Sequence, residues 1–529
     1  MKRPRVAIRF VSLTQSSRAG LWMTLLIATA AGLAGCREGG KERQSALPSA
    51  EPTRGARLSS EVEAAVVTFC GDCHPLPDPT SFPREAWHEE VRRGYDFYYA
   101  SGRTDLTVPV QAETHQYFAS RAPEKLQLAE PDPIDSEWVG RFYQHDITIP
   151  GVENAAVSYT AVVDLGDPLG RGIAFSDMRG GGVYFTPLST EGEIGTPRRI
   201  GRAENPAVIR VSDWDQDGHL DLLVADLGSF LPEDHGRGSV VWFRQLGESP
   251  GEFQQQTLYD RIGRVASIEV ADFNGDGLDD LLVAEFGWQE TGSIFWLQRG
   301  DDGDPREGLV KHSIDDRSGT IHLPVVDFNG NGSLDFVALI SQHHERIEAM
   351  INDGTGEFHR ELIYAAPGPS FGSSGIELVD LTGNGRLDVL YTNGDSFDSF
   401  VLKPSHGVRW LENQGTYPFR VHELGPMPGA HRAVTGDLDG DGQQEIVAGA
   451  FIPQELMRAQ RQGGVEALVV WKRAGNHRYR KHVLSRGDGL HATLSVNDLN
   501  GNGRDDLVIG HFREGGTAAG PALTVWMTR

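Results

Sequence analysis

The chain has 529 residues, room for two to four domains at about 150 residues each, and its 39% hydrophobic and 23% charged residues are an ordinary globular composition. A net charge of −25 argues against nucleic acid as a partner, because so acidic a surface repels phosphates. Three cysteines are too few for a disulfide framework, and 64 glycines point to many tight turns. Residues 1–35 hold five basic residues (Lys2, Arg3, Arg5, Arg9 and Arg18) and no acid. Leu21 to Leu33 is an apolar run of 13 residues, too short to span a bilayer as a helix. A basic start, a short apolar middle and a small-residue end are the parts of a secretory signal.

The run closes on Leu33-Ala34-Gly35-Cys36, which resembles the lipobox of bacterial lipoproteins. The resemblance implies cleavage before Cys36, a lipid on its sulfur, and a protein anchored to a membrane of the bacterial cell envelope. Residues 36–57 are polar and rich in Gly, Pro and Ser, and read as a flexible tether.

The other two cysteines stand in Cys70-Gly71-Asp72-Cys73-His74, the Cys-x-x-Cys-His signature of c-type haem attachment. Its spacing lets two thiols reach the two vinyl groups of one haem while the adjacent imidazole reaches the iron. A zinc site would need further cysteines, and a redox dithiol would need a βαβ setting that this stretch lacks. The segment Ser60 to Phe69, with an N-cap serine and early acids, predicts a short helix leading into the motif. A second helix is predicted over 83–94, with Pro83 at its start, and a third over 111–120. Residues 58–140 resemble a small class I cytochrome c domain, which implies covalent haem c held by Cys70, Cys73 and His74. That family usually supplies a methionine as second axial ligand, and no Met occurs between Met23 and Met178. His88, His115 and Tyr95 are the alternatives inside the domain, with an open sixth position as another; His145 falls outside it.

Internal repeats dominate the remainder. Asp213-Trp214-Asp215-Gln216-Asp217-Gly218-His219-Leu220-Asp221 recurs with variation. The copies carry Asp272, Asn274, Asp276, Gly277 and Asp280; Asp327, Asn329, Asn331, Gly332 and Asp335; and Asp380, Thr382, Asn384, Gly385 and Asp388. Two more carry Asp437, Asp439, Asp441, Gly442 and Glu445, and Asp498, Asn500, Asn502, Gly503 and Asp506. A degenerate seventh copy starts at Asp164, and first aspartates follow one another at 49 to 61 residues. Apolar strands flank each turn, and a third strand often carries Trp, as in Val240-Val241-Trp242-Phe243. Periods of this length with four short strands predict a seven-bladed β-propeller over 141–529, a mainly β fold behind a small all-α domain. The last repeat lacks a fourth strand, and 141–149 is expected to supply it by pairing with 521–528.

Oxygens at positions one, three, five and nine of each turn can converge on one calcium ion, with glycine at position six allowing the bend. Position 12 is Val224, Val283, Ala338, Tyr391, Ala448 or Ile509, where an EF-hand needs Glu, so EF-hands are rejected. The repeats resemble the FG-GAP/VCBS repeats of integrin-like propellers. Up to six structural calcium sites are expected. Asp213 and Asp437 head the tightest, because each turn holds four carboxylates, against two to three elsewhere. A turn closed by its own hydrogen bonds is the competing reading, above all at Asp380.

His322, His431, His491 and Arg264 precede turns at the leading ends of inner strands, and His343, His344 and His511 follow second strands, so all could face a central funnel. No nucleophile triad, P-loop or Rossmann fingerprint appears in a convincing context. Three functions are compatible with these features. One is electron transfer through haem, with the propeller docking a redox partner protein or small-molecule substrate. Another is an oxidoreductase with its active site in the funnel. The last is a surface adhesion or ligand-binding propeller.

Overall fold

Apolar strands separated by glycine-rich turns of a few residues can pair only antiparallel, because a parallel pair needs a long crossover. The computed structural model describes residues 57–529 apart from 248–250, 301–307, 398, 460–463, 476, 488 and 516–518. The expected leader 1–35, Cys36 and all but the last residue of the expected tether lie outside the described residues. Seven antiparallel sheets follow one another as blades at 157–202, 206–262, 265–315, 320–365, 375–426, 430–487 and 491–528. The fold is a mainly β, seven-bladed propeller. The seventh blade has three strands of its own, and Phe142–Ile147 adds the fourth, running from Phe142 opposite Thr528 to Ile147 opposite Leu523. The first and last parts of the wheel are thereby joined, and the last strand, Leu523–Thr528, is not left as an edge.

Blades adhere face to face through the side chains of their middle strands. Trp410, Met427, Ile446 and Trp471 fill the layer between blades five and six, all with no exposed surface. Burying one side chain of this kind contributes about 1.5–3 kcal/mol. Blade four shows what interrupts the pattern. Its inner strand splits into Thr320–His322 and Val325–Val326 because Pro324, between them, has no N–H for the ladder.

Among the described residues, three helices of nine or more residues precede the wheel, α1 (Ser60–Cys70), α2 (Trp87–Ala100) and α3 (Gln111–Ala119), with short helical turns at Pro79–Ser81 and Ser136–Val139. The α1 cap is Ser59, one residue before the expected one; its Oγ accepts the Val62 N–H. The second helix departs from the expected 83–94. Pro83 opens only a turn, and α2 runs past Gly94 because Tyr95 and Tyr98 bury against Phe69. Val66, Phe69, Trp87, Val91, Tyr117 and Phe118 make the small core, and Val401 of blade five packs on it. Lys403 places its ammonium 4.6 Å from the Phe82 ring centre. The chain then follows blade six, where Asp135 accepts a 2.8 Å hydrogen bond from His482, before entering the closing strand. No helix among the described residues is long and apolar enough to cross a membrane.

Candidate functional site

The six acidic turns share one hydrogen-bond plan. The first aspartate accepts backbone N–H groups from across its own turn. At Asp272 these come from Gly275 at 2.7 Å, Asp276 at 3.2 Å and Gly277 at 2.8 Å. Position five accepts the N–H two residues on, as Asp217 does from His219 and Asn384 from Arg386. The position-six glycines have φ between 80° and 90°, which a side chain would oppose. The position-nine carboxylates are buried and committed on both sides in most copies. Asp335 accepts Asn352 N–H at 2.7 Å and Phe328 N–H at 2.9 Å. Asp280, Asp388 and Asp506 are bonded in the same manner. Asp221 accepts from Gln245 N–H and the Trp242 indole. Burial pushes Asp221 up to about 7 and Asp280 up to about 6.

Two turns gather three carboxylates with ligand atoms within 4.8 Å of one another: Asp213, Asp215 and Asp217, and Asp437, Asp439 and Glu445. Each also meets a basic side chain from its blade's third strand. Arg244 pairs with Asp215 and, at 2.9 Å, with Asp217. Lys472 pairs with Asp439, with Asp441 at 2.8 Å and with Glu445 at 3.6 Å. The two positions are equivalent, since Phe243 faces Leu222 and Trp471 faces Ile446. The same register holds Gln298, Ile351, Glu412 and Met527 in four other blades, so the two cations accompany the two most acidic turns. In the other turns Asn329, Asn331, Asn384, Asn500 and Asn502 stand where those two have carboxylates, and Asn274 stands beside Asp276, donating to it at 2.9 Å.

Cys70 ends α1 and leans on the helical core; burial pushes its thiol up to about 12. Cys73 is exposed, and neither thiol is in a disulfide. Arg103 donates to the Cys73 sulfur at 3.1 Å and pairs with Asp72 at 2.7 Å. His74 Nδ1 donates to the Pro75 carbonyl at 3.0 Å, which leaves Nε2 with its lone pair. His343, on the turn after the second strand of blade four, lies within electrostatic range of His74; burial first, then His74, depresses its basicity. Tyr95 is engaged in the core, its hydroxyl meeting Pro109 O at 2.8 Å and Thr114 at 2.7 Å. His88 and His115 face each other between α2 and α3 with ring centres 5.6 Å apart, and His145 lies on the closing strand.

The funnel draws on several blades. Burial, followed by Arg432, His431 and Arg210, depresses His322, which brings these four groups into one neighbourhood. Arg210 pairs with Glu269 and donates to Tyr159 at 2.9 Å. Arg432 donates to Ile376 O at 2.6 Å, with Glu377 beside it. His491 meets His511, ring centres 5.2 Å apart, and Arg264 stands 5.5 Å over the Phe286 ring. Sequence reasoning missed Arg210, Glu269 and Glu377. Their signal was available: each is a charged residue three positions before a first aspartate, inside an otherwise apolar strand.

The model of the FG-GAP-like repeat matches residues 213–283 and 289–391. The wheel carries FG-GAP-like repeats. The matched residues include the turns at Asp213, Asp272, Asp327 and Asp380, while those at Asp437 and Asp498 follow the same hydrogen-bond plan beyond them. No curated protein matches the chain. A closed ring of such repeats supports a ligand-binding or docking platform, because its loops project from a scaffold with little freedom of its own.

Proposed function

We propose that the chain is an exported, lipid-anchored c-type cytochrome that transfers electrons, with the FG-GAP-like propeller as the platform for its redox partner or substrate. The observation that carries this reading is the Cys70–His74 loop. Two thiols outside any disulfide stand with two residues between them, and beside them an imidazole has its Nδ1 proton fixed by Pro75 O at 3.0 Å. Fixing that proton aims Nε2 as a donor, the usual outer support of a metal-bound histidine. This donor set fits haem c, with thioethers from Cys70 and Cys73 and His74 on the iron. Bound haem would supply one-electron exchange. Cys70 packs on the helical core that contains Phe69 and Tyr98, and Arg103 holds Asp72 and Cys73 in place. Cys36 would hold the assembly at a membrane of the cell envelope. Calcium on the acidic turns would stiffen the platform without taking part in electron transfer.

Production in a host with a working cytochrome c maturation apparatus tests the reading. The expected product is red, with a Soret band that stays with the polypeptide after acid–acetone extraction. A colourless protein, or haem that extracts, overturns it. The oxidoreductase alternative draws on the convergence of His322, His431, Arg432 and Arg210 in the funnel. Anaerobic reduction of the haem by one of a panel of sugars, alcohols or amines would favour it; reduction only by small redox proteins would favour plain electron transfer.

A further inference from the structure

Away from the acidic turns and the Cys70–His74 loop, blades five and six bring one carboxylate and two imidazoles together. Glu412 ends the third strand of blade five (Gly407–Glu412), and His422 lies on the fourth (Arg420–Pro426), opposite Trp410. Glu412 Oε2 is 2.8 Å from His422 Nε2 and also accepts from Gln414 at 3.2 Å. His477 comes from the other blade, at the tip of the long hairpin formed by Val465–Gly475 and Arg478–Gly487. Its φ of 56° is in the left-handed region, a conformation that glycine would hold with less strain. One ligand atom from each of the three lies within 4.8 Å of the other two.

The ring geometry decides whether both imidazoles can serve one ion. Trp410 lies nearly parallel to both, at 4.4 Å and 19° from His422 and at 5.2 Å and 8° from His477. Parallel rings need about 3.5 Å between their planes, so imidazoles on opposite faces of the indole would stand about 7 Å apart. The two are 5.3 Å apart at 13°. They therefore lie side by side in one layer on one face of Trp410, and nitrogen lone pairs that lie in a shared plane can meet. Metal–nitrogen bonds of about 2.0–2.1 Å would put an ion about 3.2 Å from each ring centre, and that spacing then subtends about 110°, near the tetrahedral value.

We propose that Glu412, His422 and His477 bind a divalent transition-metal cation of the zinc class, which clips the blade-six hairpin to blade five. Two imidazoles and one carboxylate suit zinc, copper or nickel, whereas calcium wants six to eight oxygens. Glu412 and His422 are 11% and 15% exposed and packed in place, while His477 is exposed, so the fourth position opens to water. The indole of Trp410 is the floor that keeps both rings in their layer. This inference does not rest on haem or on calcium.

The test titrates the full chain with zinc by calorimetry in millimolar calcium, which occupies hard oxygen sites, and records cobalt(II) visible absorption in parallel. The expected parent binds zinc at this site and gives the intense d–d bands of four-coordinate cobalt. His477→Gly and Glu412→Gln are each expected to weaken one zinc equivalent at least about tenfold and to remove those bands, with His343→Ala unchanged. His477→Gly removes a ligand while relaxing the backbone, so unfolding cannot account for lost binding; a melting curve at or above the parent's verifies this. Equal zinc stoichiometry and affinity in parent and His477→Gly, or no uptake at about 0.1 mM zinc, overturns the proposal.

Discussion

The two faces of the wheel solve opposite electrostatic problems. One face carries the six acidic turns, where carboxylates crowd and are held by backbone N–H groups and by Arg244 and Lys472. The other gathers the leading ends of inner strands and the turns after second strands, with His322, His343, His344, His431, His491 and His511, and the helical segment packs there through Val401. Burial depresses these histidines and keeps them neutral. One scaffold thus presents a face of crowded carboxylates and a face of buried imidazoles that resist protonation, and the two should fail under different conditions.

The largest expected effect is on the histidine face. Burial takes His431 and His491 down to about 4, against about 6.5 in the unfolded chain. Between those values the unfolded chain binds more protons, so their full stability is present above pH 6.5 and is lost as pH falls toward 4. From pH 7 to 5 the pair should cost about 2–4 kcal/mol. Glu345 on the same face and Asp221, Asp280 and Glu445 in the acidic turns, all pushed up by burial to about 6 or 7, work in the opposite sense, so the slope of the whole protein is the balance of the two sets. Urea denaturation at each pH measures the slope, and a double His431→Gln, His491→Gln variant should flatten it. A double variant whose stability changes from pH 7 to 5 by the same amount as the parent's would erase the contrast between the faces.

On the acidic face, Asp335→Ala should cost about 3 kcal/mol, because it leaves the N–H groups of Phe328 and Asn352 without their acceptor inside the blade. The loss should be the same in chelator and in millimolar calcium. A loss that appears only in calcium would mean that cations, and not hydrogen bonds, hold this face. Lys472→Met acts on charge alone. Calcium should bind the Asp437 turn about tenfold more tightly, since the ammonium no longer competes for Asp439 and Asp441, and stability in chelator should fall. Calorimetric titration of calcium into parent and variant reads the difference; unchanged binding would place calcium elsewhere than at this turn.

How far these faces can be read from the chain depends on whether the controlling contact is local. Position one and position six of each turn are local. An aspartate closes the loop on N–H groups three to five residues ahead, and a glycine takes the left-handed bend, so spacing alone exposes the six repeats and the blade period. Arg244 and Lys472 are not local. They reach the turns through the register of the third strand on the second, which the spacing of aspartates does not specify. His477 is further removed, because it meets Glu412 and His422 only when a hairpin of one blade overhangs the next. The end of α2 lies beyond the expected Gly94 for the same reason: Tyr95 and Tyr98 bury against Phe69 of another helix and carry the helix onward. The Cys-x-x-Cys-His motif is local and plain, whereas a propeller residue within electrostatic range of it, such as His343, becomes visible only in the fold.

The smallest expected effect isolates backbone from charge. At position four, five turns place a glycine, Gly275, Gly330, Gly383, Gly440 and Gly501, with φ between 71° and 75°. The Asp213 turn places Gln216 there at φ 57°, so a residue with a Cβ occupies the same left-handed region. That conformation costs about 1 kcal/mol for a residue other than glycine. Gln216→Gly should therefore stabilise the chain by up to about 1 kcal/mol, less the added freedom that glycine gives the unfolded state. The carboxylates of Asp213, Asp215 and Asp217 are untouched, so the gain should appear equally with and without calcium. Chemical denaturation in both media checks this. A destabilised variant would mean that the Gln216 side chain itself holds the most acidic turn, and that this turn is not built on the plan of the other five.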